Sequence, residues 1–249
     1  MKTNVIYNED CLDGMPELIP DNSIDMILAD LPYGTTRCEW DSVIPLEPLW
    51  KEYKRIAREN TPILLTASQP FTSKLVMSNI EWFKYEWIWV KNRGSNFGAV
   101  KYQPMKEHEN ILVFGQGKTK YDPIKEDRKG SGKERVQYEV NYNTETEVYG
   151  DYENMTANLP DKRYPSSVQK FNTEVGIHPT QKPVDLFKYL IKTYTNEGDI
   201  VLDNVIGSGT TAVACKALDR KYIGFEKNEE YYEIAQKRVS EVQKELLTQ

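Results

Sequence analysis

The sequence predicts an α/β fold: a mostly parallel sheet with helices on both faces and one long insertion. Three observations point to it. Short apolar runs of strand length alternate with stretches of helical periodicity. Four acids, Asp10, Asp30, Asp203 and Glu226, stand at or just past the ends of predicted strands, where open parallel sheets bind ligands. Gly207 and Gly209 link a predicted strand to a predicted helix, where the backbone can turn tightly and approach a ligand.

The elements follow in order. Asn4 to Tyr7 reads as a strand, and Ile24 to Ala29 as a second one ending at Asp30. Pro45 to Asn60 reads as a helix, with Leu46, Leu49, Trp50, Tyr53 and Ile56 on one face. Thr61 to Thr66 is a strand and Phe71 to Asn79 a short helix. Tyr85 to Val90 and Asn110 to Phe114 are further strands. From about Gly115 to Gly176 the pattern stops, and Lys, Glu, Asn, Tyr, Gly and Pro dominate. A stretch this long without periodicity inside a domain is functional or disordered. Pattern resumes after Pro183 with a helical stripe of Leu186, Leu190, Ile191 and Tyr194. Ile200 to Leu202 is a strand, Thr210 to Leu218 a helix, Tyr222 to Phe225 a strand, and Asn228 opens a last helix to about Leu247. The chain therefore divides into 1–114, an insertion over 115–176, and 177–249.

Bulk properties bound the function. A chain of 249 residues holds one large α/β domain with an insertion, or two small domains. No apolar run reaches the roughly 18 residues of a membrane span. The first residues already read as a strand and carry no signal peptide, so a cytoplasmic location without membrane contact is expected. Cys11, Cys38 and Cys215 are odd in number and far apart, which argues against a disulfide framework. With only His108 and His178, no metal site is expected.

The net charge is −6 and the pI about 5.2, yet Lys118, Lys120, Lys125, Arg128, Lys129, Lys133 and Arg135 crowd one stretch. Such a patch binds nucleic acid even on an acidic protein, because the local field decides. The alternative is a solvated loop of mixed charge, with DNA held by Lys91, Arg93 and Lys101 instead.

Two motifs carry chemistry. In Asp30-Leu31-Pro32-Tyr33, the acid can accept hydrogen bonds from an amine. Pro32 holds Leu31 extended and so fixes its carbonyl, and Tyr33 offers a ring for stacking. A strand-ending turn is the alternative. In Asp203-Asn204-Val205-Ile206-Gly207-Ser208-Gly209-Thr210-Thr211, a strand end turns through two glycines into a helix, and Glu226 ends the next strand, where an acid can hold ribose hydroxyls. A tight turn without a ligand is the alternative there. Asp10-Cys11 follows the first strand, and His178 to Pro183 leads into the helix before the glycine turn.

These motifs resemble those of amino-group DNA methyltransferases of the β arrangement, the N4/N6 DNA methylase family. Asp30 to Tyr33 resembles the family's D-P-P-Y, His178 to Pro183 its H-P-T-Q-K-P, and Asp203 to Thr211 its D-P-F-x-G-S-G-T-T. Asn8 to Cys11, His108 to Phe114, Arg220 to Glu226 and Tyr231 match in the same order. Leu31 departs from the first proline but keeps the carbonyl, and Asn204-Val205 replaces Pro-Phe.

The resemblance implies a Rossmann-like S-adenosylmethionine-dependent methyltransferase fold with 115–176 as the target recognition region. It implies S-adenosyl-L-methionine as cofactor, held by Asp10, Cys11, Asp30, His178, Thr180, Lys182, Asp203, Asn204, Gly207, Ser208, Gly209, Thr210, Glu226 and Lys227. Asp30, Leu31, Pro32 and Tyr33 would form the catalytic tetrapeptide. Double-stranded DNA would be the substrate, and a homodimer and a cognate restriction nuclease are compatible with the family. Asp in the first tetrapeptide position favours adenine N6. Cytosine N4 is the alternative, RNA is disfavoured, and a regulator that binds nucleotide or DNA without turnover is the reading from another class.

Overall fold

In the computed structural model, residues 1–34, 41–128, 162–174 and 181–246 are described. The chain forms two compact units, one of Met1–Asp122 with Ser167–Gln249 and one of Pro123–Ser166.

The larger unit begins with β1 (Val5–Tyr7) and α1 (Cys11–Leu18). Then come β2 (Met26–Ala29), α2 (Leu46–Ile56), β3 (Ile63–Ala67) and α3 (Phe71–Ser78). A hairpin of β4 (Phe83–Ser95) and β5 (Lys106–Phe114) follows. The smaller unit holds β6 (Glu126–Asp127) against β7 (Lys162–Arg163). The larger unit closes with β8 (Val168–Lys170), α4 (Val184–Tyr194), β9 (Ile200–Asp203), α5 (Thr210–Lys216), β10 (Lys221–Phe225) and α6 (Glu229–Leu246).

Eight strands form one sheet in the order β1-β10-β9-β2-β3-β5-β4-β8, and β5 alone among them runs antiparallel to its neighbours. The period of two sets the layers. In β2, Met26 and Leu28 enter one core while Ile27 and Ala29 enter the other. Val201 and Leu202 of β9 divide the same way, as do Ile111 and Leu112 of β5. The first core is closed by α4, α5 and α6 through Leu190, Ala212 and Ala235. The second is closed by α1, α2 and α3 through Met15, Tyr53 and Leu75. Strands buried on both faces read as continuous apolar runs, which is why β2 and β3 are legible as strands without alternation.

Two elements depart from the expectation. Helix α1 is not predicted, because Gly14 and Pro16 interrupt its pattern. Gly14 serves packing: a Cβ there would lie 2.4 Å from the Phe225 ring. The β4–β5 hairpin is also longer than its apolar segments, since its outer half carries polar side chains. Over 115–176, the flanks belong to the larger unit: Asp122 N donates to Thr193 O, and β8 joins β4 in parallel.

Candidate active site

Neighbouring strands β2 and β9 send their chains in opposite directions, β2 through α2 to β3 and β9 through α5 to β10. A crevice opens beyond the carboxyl ends of such a pair. Asp30 follows β2 and Asp203 ends β9, so the two motifs, far apart in sequence, face one cleft of about 1230 Å3.

At one end of the cleft Asp30 is held from three sides. Its Oδ1 accepts from the hydroxyl of Tyr33 at 3.0 Å and from the hydroxyl of Thr66, and its Oδ2 accepts from Lys182 Nζ at 2.6 Å. Lys182 is buried, and its ammonium also lies 3.3 Å from Glu109, which in turn pairs with Lys91. Lys91, Glu109, Lys182 and Asp30 therefore alternate in sign. Burial alone would pull the Lys182 ammonium down, but Asp30 and Glu109 outweigh it and hold its pKa above the ordinary value. Burial would likewise raise Glu109, and the two lysines instead hold it below the usual carboxylate range. Burial pushes the Tyr33 phenol well up, so it stays a donor. Its ring rests on Phe71, with centroids 5.4 Å apart and planes 24° from parallel. A carboxylate has about four lone-pair sites. Three are taken here, and the fourth remains for an incoming amine.

At the other end, Gly207 and Gly209 adopt φ of +53° and +87°. At Gly209 a Cβ would stand 3.0 Å from that of Ala235, so both conformation and space require glycine. The turn presents Gly207 N to Glu226 Oε2 at 3.0 Å, while Asn228 N donates to Oε1 at 2.8 Å. Two fixed backbone donors orient the Glu226 carboxylate and leave lone pairs on both oxygens for a pair of ligand hydroxyls. Burial raises its pKa above the usual value, against the pull of those donors. Asp203 is buried and bonded to the Thr211 hydroxyl and to Val205 N, and burial pushes its pKa up to about 7. Asn204 accepts from the Tyr53 hydroxyl at 2.5 Å and donates to Cys11 Sγ at 3.4 Å, which binds this loop to α1. Asp10 caps α1 by accepting from Leu12 N at 2.9 Å. Arg238 of α6 braces the turn, donating to Ser208 O at 2.6 Å and to its hydroxyl at 2.9 Å.

Most of the residues singled out in the sequence meet here. Leu31, Pro32 and Tyr33 line the cleft with Asp30, and Asp10, Cys11, Lys182, Asn204, Ser208, Thr210 and Lys227 line it too. Gly209 shapes the turn from behind. His178 and Thr180 lie outside the described residues, as do Lys129, Lys133 and Arg135. Lys118 and Lys120 sit elsewhere. They follow β5, whose end pairs with the start of β3, and Lys120 Nζ lies 3.3 Å from Asp199 just before β9. Both therefore occupy the strand ends opposite the cleft. Lys125 lies over the Tyr164 ring, and Arg128 donates to Lys162 O, both within the smaller unit. Arg93 and Lys106, by contrast, line the cleft.

Sequence reading missed the part played by Thr66, Lys91 and Glu109. Glu109 carries a signal, an acid just before the apolar run Ile111–Phe114 of its strand. Lys91 and Thr66 carry none, because only the folded sheet brings them to Asp30.

A family model described as DNA methylase matches residues 24–237. The chain is 30% identical over 236 residues to the type II methyltransferase M.HpaI of Haemophilus parainfluenzae, covering 89% of this chain and 69% of that one. It is 26% identical to the type II methyltransferase M1.MboII of Moraxella bovis, covering 93% and 94%. Among solved structures, the M1.HpyAVI–SAM complex superposes with a TM-score of 0.66 at 23% identity, covering 94% of this chain and 98% of that one. The cytosine-N4-specific PvuII DNA methyltransferase gives 0.68 at 14% identity, covering 100% and 94%. Both likenesses bear on the fold.

Proposed function

The chain belongs to the N6/N4 DNA methylase family, and on that premise we propose that it moves a methyl group from S-adenosyl-L-methionine to the N6 amine of an adenine in double-stranded DNA. The observation that carries this reading is the convergence of Asp30, with one acceptor site left over, and the Gly207–Glu226 cradle on one cleft. The cradle suits a nucleoside: the glycine turn leaves room for close approach, and Glu226 matches a ribose diol. The cofactor supplies an electrophilic methyl group.

The protein's own residues do the rest. A base within a duplex cannot reach this cleft and is extruded into it. The Asp30 carboxylate and the Leu31 carbonyl accept the two amine protons, which directs the nitrogen lone pair out of conjugation with the ring. Tyr33, backed by Phe71, stacks on the base. Lys182 holds Asp30 in place, so that its carboxyl group meets the positive charge developing on the amine. Orientation and exclusion of water supply the acceleration, and no covalent enzyme intermediate is needed.

Adenine is favoured over cytosine on the resemblance alone, since Asp at the first tetrapeptide position is the family's usual form for adenine N6. The insertion is read as the target recognition region, with Lys125, Arg128, Lys129, Lys133 and Arg135 as its phosphate contacts. The type II designation of the relatives supports a companion nuclease. Tritiated methyl transfer onto mixed genomic DNA tests the activity, and long-read sequencing of DNA from an expressing host gives the methylated motif. Zero incorporation alongside tight cofactor binding would instead support a regulator without turnover.

A further inference from the structure

The β4–β5 ladder outruns the rest of the sheet. Strand β3 ends at Ala67, opposite Asn110, while β4 and β5 stay paired out to Ser95 and Lys106. The hairpin thus stands above the carboxyl-end rim that carries Asp30, and its inner side, including Asn96, Phe97 and Met105, lines the cleft. Its composition is unusual for this acidic chain. Residues 91–106 contain Lys91, Arg93, Lys101 and Lys106 and no acid. The tip between the strands turns through Asn96, at φ +73°, into a short 3-10 turn over Phe97–Ala99. Phe97 is 67% exposed and Tyr102 is 90% exposed, while Val100 and Met105 are also uncovered. Large aromatics at this exposure gain nothing by folding, and Arg93 and Lys101 beside them suit a polyanion with stacking faces, while Lys91 is paired with Glu109.

We infer that the hairpin tip is a wedge for DNA: Phe97 and Tyr102 stack into the duplex beside the extruded base, while Arg93 and Lys101 meet the flanking phosphates. This rests on the reading of the cleft as a DNA methyltransferase site. Extrusion leaves a gap in the stack, and the duplex collapses back unless an apolar side chain holds it open. Among the described residues, this hairpin extends past the rim. A second copy of this chain is the other occupant, and the test below separates it from DNA.

The test compares the wild-type protein with a Phe97→Ala/Tyr102→Ala double variant. Both positions are exposed, so folding is unaffected. Two substrates are used, a fully paired duplex and one in which the target adenine faces an abasic site. The double variant should methylate the paired duplex about tenfold more slowly or worse, because stacking on each aromatic is worth about that factor. It should approach wild-type rates on the abasic duplex, where extrusion costs little, and 2-aminopurine at the target should brighten less with the variant. Equal rates for both proteins on the paired duplex would overturn the wedge and leave the methyltransferase reading standing. So would a variant that loses dimerisation in sedimentation while its rates stay equal to those of wild type. A wild-type protein that methylates no duplex overturns both.

Discussion

On the proposed reading, Asp30 is the residue on which the chemistry turns. Asp30→Ala should abolish methyl transfer while cofactor affinity, measured by calorimetry, largely survives. Loss of cofactor binding together with turnover would place Asp30 in the cofactor pocket instead. Lys182 acts on the amine through Asp30. Lys182→Met leaves Asp30 without its cation and Glu109 with Lys91 alone, and removing one partner from a buried pair costs about 3–5 kcal/mol of stability. Adding Glu109→Gln to Lys182→Met should restore part of the lost Tm but not the lost kcat. Adding Lys182→Met to Asp30→Ala should lower the residual rate no further, since the two residues act as one unit. Additive losses would separate them. Glu226→Ala should weaken cofactor binding more than it slows the saturated reaction, because charge-assisted bonds to hydroxyls are worth on the order of 1.5–3 kcal/mol each. Unchanged affinity would remove Glu226 from the site.

At the scale of elements, the turn from β9 into α5 is the most constrained. Gly209→Ala forces a Cβ into the left-handed region and against Ala235, a cost of about 1–2 kcal/mol from conformation alone. Thermal unfolding should show that loss, and a variant as stable as wild type would mean the turn adapts. This element was readable because its glycines and flanking apolar runs are local signals. The same holds for β2, whose four residues are all buried, and for the stripe of α2. Helix α1 was not readable, because Gly14 is chosen for contact with Phe225, which lies more than two hundred residues away in the chain. The outer half of the β4–β5 hairpin was hidden for a related reason: its strands are held by cross-chain backbone bonds, which leave no mark on side-chain periodicity. The acids at strand ends were legible. The lysine bridging Asp30 and Glu109 was placed in the right pocket, but its partners emerge only when β2, β5 and the start of α4 meet.

For the molecule as a whole, charge sets both stability and partner choice. Burial raises the Asp203 carboxyl from its ordinary value of 3.8 to about 7, so between those pH values the folded state holds a proton that the unfolded state has released. Stability therefore falls as pH rises from about 4 to about 7 and levels off above. Asp203→Asn should remove that slope from the Tm of the cofactor-free protein, and parallel curves would show that Asp203 is ionised throughout. DNA affinity should follow patches and not the net charge of −6. Neutralising Lys125, Arg128 and Lys129 should flatten the salt dependence by roughly 0.9 per lost phosphate contact and weaken all sequences alike. An unchanged slope, with a reduced one for Arg93→Ala/Lys101→Ala, would move the phosphate contacts from the insertion to the hairpin. The central claim, methyl transfer to adenine N6, is tested most directly by digesting DNA treated with the protein and labelled cofactor to nucleosides and identifying the labelled one by mass spectrometry. The account predicts label in N6-methyl-2′-deoxyadenosine, absent with Asp30→Ala, and label in N4-methyl-2′-deoxycytidine or in no nucleoside would contradict it.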